Sequence, residues 1–236
     1  MRLPQRLRPL ASLNRTDQLL VPNFASAAVS VPVGTRWARP IVIALHGQGE
    51  TKEAICEAFG AVVNAEYFVL CPGLGVVSDA NTQSSNCRSE DCLAEELREG
   101  LISLRKRFGR YVARNEVVLA GHGSGAARAV PIALQNPKVF SVVWLVDGGV
   151  REWATALSVA YAQRGGKYLG LACGDRSCEA EALRVTASAR TAGLTTVLVK
   201  TGPTVPKWTQ ESIEALRESW RKSKPAGWPW SVPEKN

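Results

Sequence analysis

One stretch of the chain, residues 116–130 (EVVLAGHGSGAARAV), constrains the fold most strongly. An apolar run ends at Ala120, glycines follow at Gly121, Gly123 and Gly125, and alanine-rich, helix-favouring sequence comes next. A strand, a tight turn and a helix are therefore predicted in quick succession. In α/β folds such a unit either presents a reactive side chain on the turn or places a phosphate at the helix N-terminus.

The rest of the chain alternates between two hydrophobic patterns. Apolar runs of strand length predict strands at 27–33, 40–45, 67–70, 117–120, 141–146, 168–173 and 195–200. Helix-spaced apolar residues predict helices at 52–64, 90–108, after the turn at 121–125, and at 151–164, 179–192 and 209–221. This alternation predicts an α/β fold with a doubly wound, mostly parallel sheet of about seven or eight strands and helices on both faces.

The length of 236 residues suits one domain, and no linker-like segment divides the chain. We expect an irregular arm over 1–25, one domain over 26–222, and a tail over 223–236 that contains tryptophan and proline. No apolar run approaches the roughly 18 residues that a membrane-spanning helix needs. The sequence thus predicts no transmembrane segment.

The net charge of +8 comes from arginines and lysines spread over the whole length. Basic and aromatic residues do not alternate along one element, so a solvated basic surface is favoured over a nucleic-acid-binding face. Contact with an anionic cell envelope stays open as an alternative.

Six cysteines occur at spacings that suit disulfides: Cys56, Cys71, Cys87, Cys92, Cys173 and Cys178. Disulfides are favoured over reduced thiols, although the sequence does not choose the pairing. Zinc is disfavoured because the pairs are more widely spaced than usual and the two histidines lie elsewhere, so no metal is expected. Disulfides point to a secreted or periplasmic protein whose signal peptide is absent from this sequence, with the cytoplasm as the alternative. The alanine- and arginine-rich composition is a hint of bacterial origin.

The glycine turn fits a dinucleotide-binding motif. Gly121, Gly123 and Ala126 match G-x-G-x-x-G/A, and Asp147 ends the following strand at about the distance where an acid would bind a ribose hydroxyl. Such a turn usually follows the first strand of its unit, whereas about three strands precede this one. Nucleotide binding is therefore an alternative interpretation.

Residues 40–49 (PIVIALHGQG), the elbow about 75 residues later and the strands after it resemble the α/β-hydrolase superfamily. The resemblance covers about 27–221 and is closest to small, lid-less members of the carboxylesterase and dienelactone-hydrolase type. It implies that the turn at His46 and Gly47 supplies one oxyanion-hole amide, from Gln48. The second oxyanion-hole amide comes from the residue that follows the nucleophile position, and this residue is Ser124.

The resemblance also assigns the nucleophile position. In the G-x-S-x-G elbow of the superfamily, small residues stand two before and two after the nucleophile. Gly121 and Gly125 fill those places, so the nucleophile position is Gly123. Taking Ser124 as nucleophile instead would put His122 at a flanking site where a bulky side chain fits poorly.

The chain lacks a histidine where the superfamily has its triad base, and it offers two candidates for the triad acid. The superfamily takes its histidine from the loop after the last strand, where this chain has none between Thr201 and Trp208. Asp175 and Asp147 follow the seventh and sixth strands and are candidate acids, although both would also suit helix capping or surface hydrogen bonds.

These features predict a pseudo-hydrolase that needs no cofactor. We expect it to bind a small carbonyl- or carboxylate-bearing ligand, or a protein partner, through the elbow amides. The first alternative is a weak ester hydrolase with Ser124 as nucleophile, His122 as base, and Asp175 or Asp147 as acid. The second alternative is the dinucleotide binder.

Overall fold

The computed structural model describes residues 6–77, 84–87, 89–114, 117–153, 155–202 and 208–222. The strands within these ranges are β1 (Thr16–Leu19), β2 (Ala27–Ser30), β3 (Ile41–Leu45), β4 (Phe68–Cys71), β5 (Gly75–Val77), β6 (Ser84–Asn86), β7 (Val118–His122), β8 (Val142–Val146), β9 (Tyr168–Cys173) and β10 (Thr195–Lys200). The α-helices are α1 (Lys52–Val62), α2 (Glu90–Phe108), α3 (Ser124–Gln135), α4 (Thr155–Gln163), α5 (Arg176–Thr191) and α6 (Gln210–Lys222). A short 3₁₀ helix spans Gly109–Tyr111.

Eight strands form one sheet in the order β1-β2-β4-β3-β7-β8-β9-β10. Strand β2 pairs antiparallel with both of its neighbours, β1 and β4, and all other neighbours in this sheet pair parallel. This confirms the predicted α/β class and the mostly parallel sheet of about eight strands. A separate antiparallel pair, β5 and β6, lies between β4 and α2, where the hydrophobic pattern predicts no strand.

Helices cover both faces of the sheet because the side chains of the central strands alternate between two cores. On one face Ile43 and Leu45 of β3 belong to a cluster that includes residues of α2, α3, α4 and α5. On the other face Val42 and Ala44 join residues of α1 and α6. All five residues of β3 are buried, which fits its continuous apolar sequence.

The region predicted as an irregular arm, residues 1–25, is corrected in one part. Thr16–Leu19 forms the edge strand β1, with Thr16 opposite Ser30 and Leu19 opposite Ala27. Only Leu19 of this strand is buried, so its sequence shows no hydrophobic alternation and backbone pairing decides its structure. The predicted tail over 223–236 lies outside the described residues.

The cysteines form three disulfides: Cys56–Cys71, Cys87–Cys92 and Cys173–Cys178. The first joins α1 to β4, and the last joins the end of β9 to the first turn of α5. The prediction that the six cysteines form disulfides is thus confirmed, and the disulfides indicate an oxidising environment. In the part of the chain that the structure describes, no helix is both long and apolar enough to cross a bilayer.

Candidate functional site

The turn between β7 and α3 has the backbone of a nucleophile elbow, with Gly123 at its centre. Strand β7 ends at His122, α3 begins at Ser124, and Gly123 between them has φ 53° and ψ −123°. A positive φ favours glycine, although nucleophiles on such strained turns adopt it as well. A Cβ atom added to Gly123 would have its nearest neighbour, the Cα atom of Gly47, at 4.0 Å. The turn therefore has space for a Cβ atom at this position.

The two flanking glycines have no such space. A Cβ atom on Gly121 would lie 2.6 Å from the backbone nitrogen of Ala126. A Cβ atom on Gly125 would lie 2.3 Å from the carbonyl oxygen of Leu45. Close packing of helix and strand thus requires glycine two residues before and two residues after Gly123, which supports the register that places the nucleophile position at Gly123.

The turn after β3 lies against the elbow. The backbone amide of Gln48 donates a hydrogen bond of 2.8 Å to Oγ of Ser124. The amide that the resemblance assigns to the oxyanion hole is therefore occupied by a side chain of the protein itself. Ser124 is exposed, and its own amide donates to no acceptor within the described ranges.

A cleft of about 350 Å³ opens beside these groups. It is lined by His46, Gly47, Gln48, Gly73, Leu74, Cys87, Ser124 and Arg128. Nδ1 of the half-buried His46 lies 3.1 Å from the carbonyl oxygen of Gly47. The Arg128 guanidinium donates to the carbonyl oxygen of Cys87 at 2.5 Å, so the charge is fixed at the cleft wall.

Sequence reasoning missed Arg128, although a signal for it was present. Arg128 follows Ser124 by four residues in the predicted helix, and such a spacing places two side chains on one helix face. The cleft therefore combines a helix N-terminus, the hydroxyl of Ser124 and one guanidinium. All three favour a ligand with a negatively charged or electron-rich oxygen.

A buried carboxylate stands behind the cleft wall. Oε1 of Glu96, on α2, accepts a 2.8 Å hydrogen bond from the amide of Leu74. Burial raises the pKa of Glu96 to about 7, against the opposing effects of this amide and of the Arg128 charge. Burial likewise lowers the pKa of Arg128, and Glu96 opposes that shift. The charge of Glu96 is thus coupled to the guanidinium in the cleft.

A second carboxylate, Glu50, organises the space under the elbow. It accepts hydrogen bonds from the Gly47 amide at 2.8 Å and from the Trp208 indole at 2.9 Å, and Nδ1 of His122 lies 2.8 Å from its Oε2. Burial raises the pKa of Glu50, but the hydrogen bonds from His122, Gly47 and Trp208 outweigh burial and lower it. His122 is buried, its ring centroid lies 4.7 Å from that of Trp208 with the two planes tilted by 45°, and it is not among the residues that line the cleft.

Trp208 ends the loop in which the resemblance places the histidine base. The structure describes Thr201, Gly202 and Trp208 of that loop, and residues 203–207 lie outside the described part. At the end of this loop the structure therefore has the indole of Trp208, which donates a hydrogen bond to the Glu50 carboxylate.

The two candidate acids have structural partners. Asp175 is exposed and caps α5, because Oδ1 accepts hydrogen bonds from the amides of Ser177 at 2.7 Å and Cys178 at 2.9 Å. Oδ1 of Asp147 accepts a 2.5 Å hydrogen bond from the amide of Gly174. Neither aspartate is among the residues that line the cleft with Ser124.

The residues of the dinucleotide motif also come together, but in a different setting. Gly121, Gly123 and Ala126 form the turn, and Asp147 follows the neighbouring strand β8. However, the turn from Gly47 to Glu50 lies over the start of α3, where Gln48 holds the Ser124 hydroxyl. This is the place that a pyrophosphate would take. Among the described residues, no group of three or more His, Cys, Asp or Glu side chains could hold a metal ion.

Comparison with known proteins gives structural similarity without sequence similarity. No protein-family model and no curated protein matches the sequence. The solved structure of a predicted CIB-like hydrolase from Thermoplasma acidophilum aligns with 88% of this chain and 97% of its own, at 16% identity and a TM-score of 0.59. Est1E from Butyrivibrio proteoclasticus aligns with 89% of this chain and 99% of its own, at 12% identity and a TM-score of 0.60.

S-formylglutathione hydrolase from Staphylococcus aureus aligns with 94% of this chain and 99% of its own, at 12% identity and a TM-score of 0.57. At these identities the similarity bears on the fold and not on the activity. Together with the strand order and the glycine elbow, it shows that this chain has the α/β-hydrolase fold.

Proposed function

We propose that the protein binds a small carboxylate- or carbonyl-bearing ligand in the cleft beside Ser124 and does not cleave it. The observation that carries the proposal is Gly123. This residue occupies the position with elbow geometry and with space for a Cβ atom, and it has no nucleophilic group.

The absence of a histidine at the usual place supports the same conclusion. The sequence contains two histidines, His46 and His122, and a serine nucleophile needs a base within hydrogen-bond distance. Nδ1 of His122 is engaged by Glu50 in a buried position. Ser124 lies one residue past the elbow position, and its hydroxyl is held by the Gln48 amide.

The cleft offers recognition groups for an anionic oxygen. Because Oγ of Ser124 accepts from Gln48, its own proton is left to donate to a ligand. The start of α3 carries positive partial charge, and Arg128 adds a full charge one turn later. A carboxylate gains from all three groups, so it is preferred over a neutral carbonyl.

The ligand carboxylate could belong to a free small molecule or to a group presented by a partner protein. The disulfides support export to an oxidising compartment. We therefore also propose that the protein is bacterial and is secreted or periplasmic. The similarity to esterase structures supports the architecture of the cleft, whereas Gly123 supports the loss of turnover.

The binding test compares small carboxylates with the corresponding primary amides by isothermal titration calorimetry. We expect carboxylates to bind the wild type and to bind Arg128→Gln about tenfold more weakly, because a charge-assisted hydrogen bond is lost. The affinity for the primary amides is expected to differ little between wild type and Arg128→Gln. The exposed Arg184 serves as a control, since Arg184→Gln removes the same charge far from the cleft. Equal losses in both variants would reject the proposed site.

The catalytic test measures p-nitrophenyl ester turnover and labelling by a fluorophosphonate. We expect background turnover that is identical in wild type and Ser124→Ala, and no covalent adduct on Ser124. Turnover at ordinary enzyme rates that disappears in Ser124→Ala, with an adduct on that residue, would instead establish the weak ester hydrolase.

A further inference from the structure

We propose a second binding site, for a phosphoryl group, in a cleft at the opposite end of the parallel strands. Its residues precede strands, since Ala38 comes before β3 and Ala113 comes before β7. The elbow and the ligand cleft lie beyond the other ends of these same strands. The two sites are therefore separated by the length of the sheet.

The charged residues that line this cleft are all positive. Its volume is about 890 Å³, and it is lined by Leu7, Ala38, Arg105, Gly109, Arg110, Val112, Ala113 and Arg114. Three of these residues are arginines and none is acidic. Guanidinium groups are planar, remain charged and bind phosphoryl oxygens through paired hydrogen bonds.

These three arginines have no carboxylate partner within the described part of the chain. Other arginines of α2 do: Arg98 pairs with Glu95, and Arg107 pairs with Asp17 at 3.0 Å. In addition, Nε of Arg105 is buried without a hydrogen-bond acceptor there. Arg110 and Arg114 are exposed, but the charge of Arg105 is partly removed from water without compensation by the protein, which raises the free energy of the folded state. An anion bound in the cleft would offset this cost.

The walls of the cleft are held by backbone hydrogen bonds. The amide of Arg39 donates to the carbonyl of Tyr111 at 2.7 Å, and the amide of Ala113 donates to the carbonyl of Arg39 at 2.8 Å. The amide of Leu7 donates to the carbonyl of Arg36 at 2.8 Å. The segments that carry the lining residues are thus fixed before any ligand binds, which lowers the entropic cost of binding.

The number of positive charges selects the ligand class. A carboxylate carries one charge and is satisfied by one arginine, whereas a phosphate monoester carries nearly two charges and three terminal oxygens at neutral pH. Three arginines around one cleft therefore match a phosphoryl group. The group could belong to a soluble phosphate ester or to a lipid headgroup, and the net charge of +8 favours approach to an anionic surface.

The test uses the full chain with two kinds of probe. Inorganic phosphate and glycerol 3-phosphate are titrated by calorimetry, and vesicles of phosphatidylcholine and phosphatidic acid in equal amounts are tested by co-sedimentation. Binding of the soluble phosphates supports the site with a soluble ligand. Co-sedimentation without binding of soluble phosphate supports the site with a lipid headgroup.

The variant Arg110→Gln/Arg114→Gln changes two exposed residues of the cleft, and its melting temperature shows whether the fold is kept. We expect it to bind phosphate or vesicles about tenfold more weakly or worse. The control Arg184→Gln/Arg221→Gln removes the same charge from exposed helix positions, and we expect a change below about twofold. No binding to any probe, or equal losses in both double variants, would overturn the proposal. Arg128→Gln should leave this binding intact, so the two sites are tested independently.

Discussion

The amide of Gln48 donates a hydrogen bond to the hydroxyl of Ser124 across 2.8 Å, joining two residues 76 positions apart in the sequence. The bond places a protein oxygen on an amide that, in the resembling enzymes, is expected to face a substrate oxygen. It also fixes the Ser124 hydroxyl so that its proton points to another acceptor. This arrangement agrees with the proposed role, in which the elbow contacts a ligand through a hydroxyl.

Replacing Ser124 tests this arrangement. Ser124→Ala removes the acceptor of the Gln48 amide, and we expect a stability loss of about 0.5–1.5 kcal/mol. The amide of Gln48 should also exchange its hydrogen faster, as measured by nuclear magnetic resonance. Ser124→Thr keeps the hydroxyl and should keep the slow exchange. Unchanged exchange at Gln48 in the alanine variant would contradict the hydrogen bond.

Two glycines of the same turn should respond very differently to alanine. Gly123→Ala has space for its Cβ atom and suffers only from the positive φ, so we expect a loss of about 1–2 kcal/mol. Gly125→Ala places Cβ 2.3 Å from the Leu45 carbonyl oxygen and should cost at least about 3 kcal/mol. Urea unfolding measures both. Similar losses at the two positions would argue against the assigned register.

The carboxylate under the elbow should give the protein acid sensitivity. The folded-state pKa of Glu50 lies below its ordinary value of 4.5, so its contribution to stability is present above that value and is lost as pH falls through the folded-state pKa. We expect Glu50→Gln to cost about 1–3 kcal/mol at neutral pH, because charge-assisted hydrogen bonds are weakened. The difference from wild type should shrink in acid.

Unfolding by urea at several pH values measures this effect. The control is Glu152→Gln, which removes an exposed carboxylate and should have a small effect at every pH. A difference between Glu50→Gln and wild type that stayed constant down to strongly acidic pH would show that the charge of Glu50 is not involved.

Glu96 should have the opposite pH dependence. Its folded-state pKa is raised to about 7, so the folded protein keeps a proton that the unfolded chain has lost. Stability should therefore fall as pH rises from about 4.5 to about 7, by on the order of 3 kcal/mol. Glu96→Gln does not titrate and should lack this slope. A wild-type slope that persists in the variant would assign it to another group.

The same titration bears on the ligand. When Glu96 loses its proton, its negative charge partly offsets the Arg128 guanidinium. We therefore expect carboxylate affinity to decrease as pH rises through about 7 in wild type, and to be flat over that range in Glu96→Gln.

The succession of strands and helices along the chain and the elbow were predictable because their signals are local. The apolar run of β3 and the spacing of Gly121 and Gly125 each depend on a few consecutive residues. The edge strand β1 was missed because its sequence, TDQL, is mostly polar and because its structure depends on pairing with β2, a separate strand that begins at Ala27. Its position follows from the sheet and not from its own composition.

The site contacts were less predictable because they join distant parts of the chain. Glu50 meets His122 across 72 positions and Trp208 across 158 positions, and no sequence period links these residues. The histidine-free loop after β10 was visible in the sequence, but the indole that takes part in the Glu50 cluster was not. By contrast, Arg128 lies within one predicted helix and could have been found from its spacing to Ser124.

The space around Gly123 has an evolutionary consequence. Glycine and serine codons are related by a single base change, and a Cβ atom here would have the Cα of Gly47, at 4.0 Å, as its nearest atom outside the adjacent residues. A hydroxyl could thus enter the turn at the cost of backbone strain alone. A histidine placed at Trp208, by contrast, would remove the indole hydrogen bond to Glu50 and the ring contact with His122. If the protein binds without cleaving, as proposed, restoring a proton acceptor would therefore demand more structural change than restoring a nucleophile.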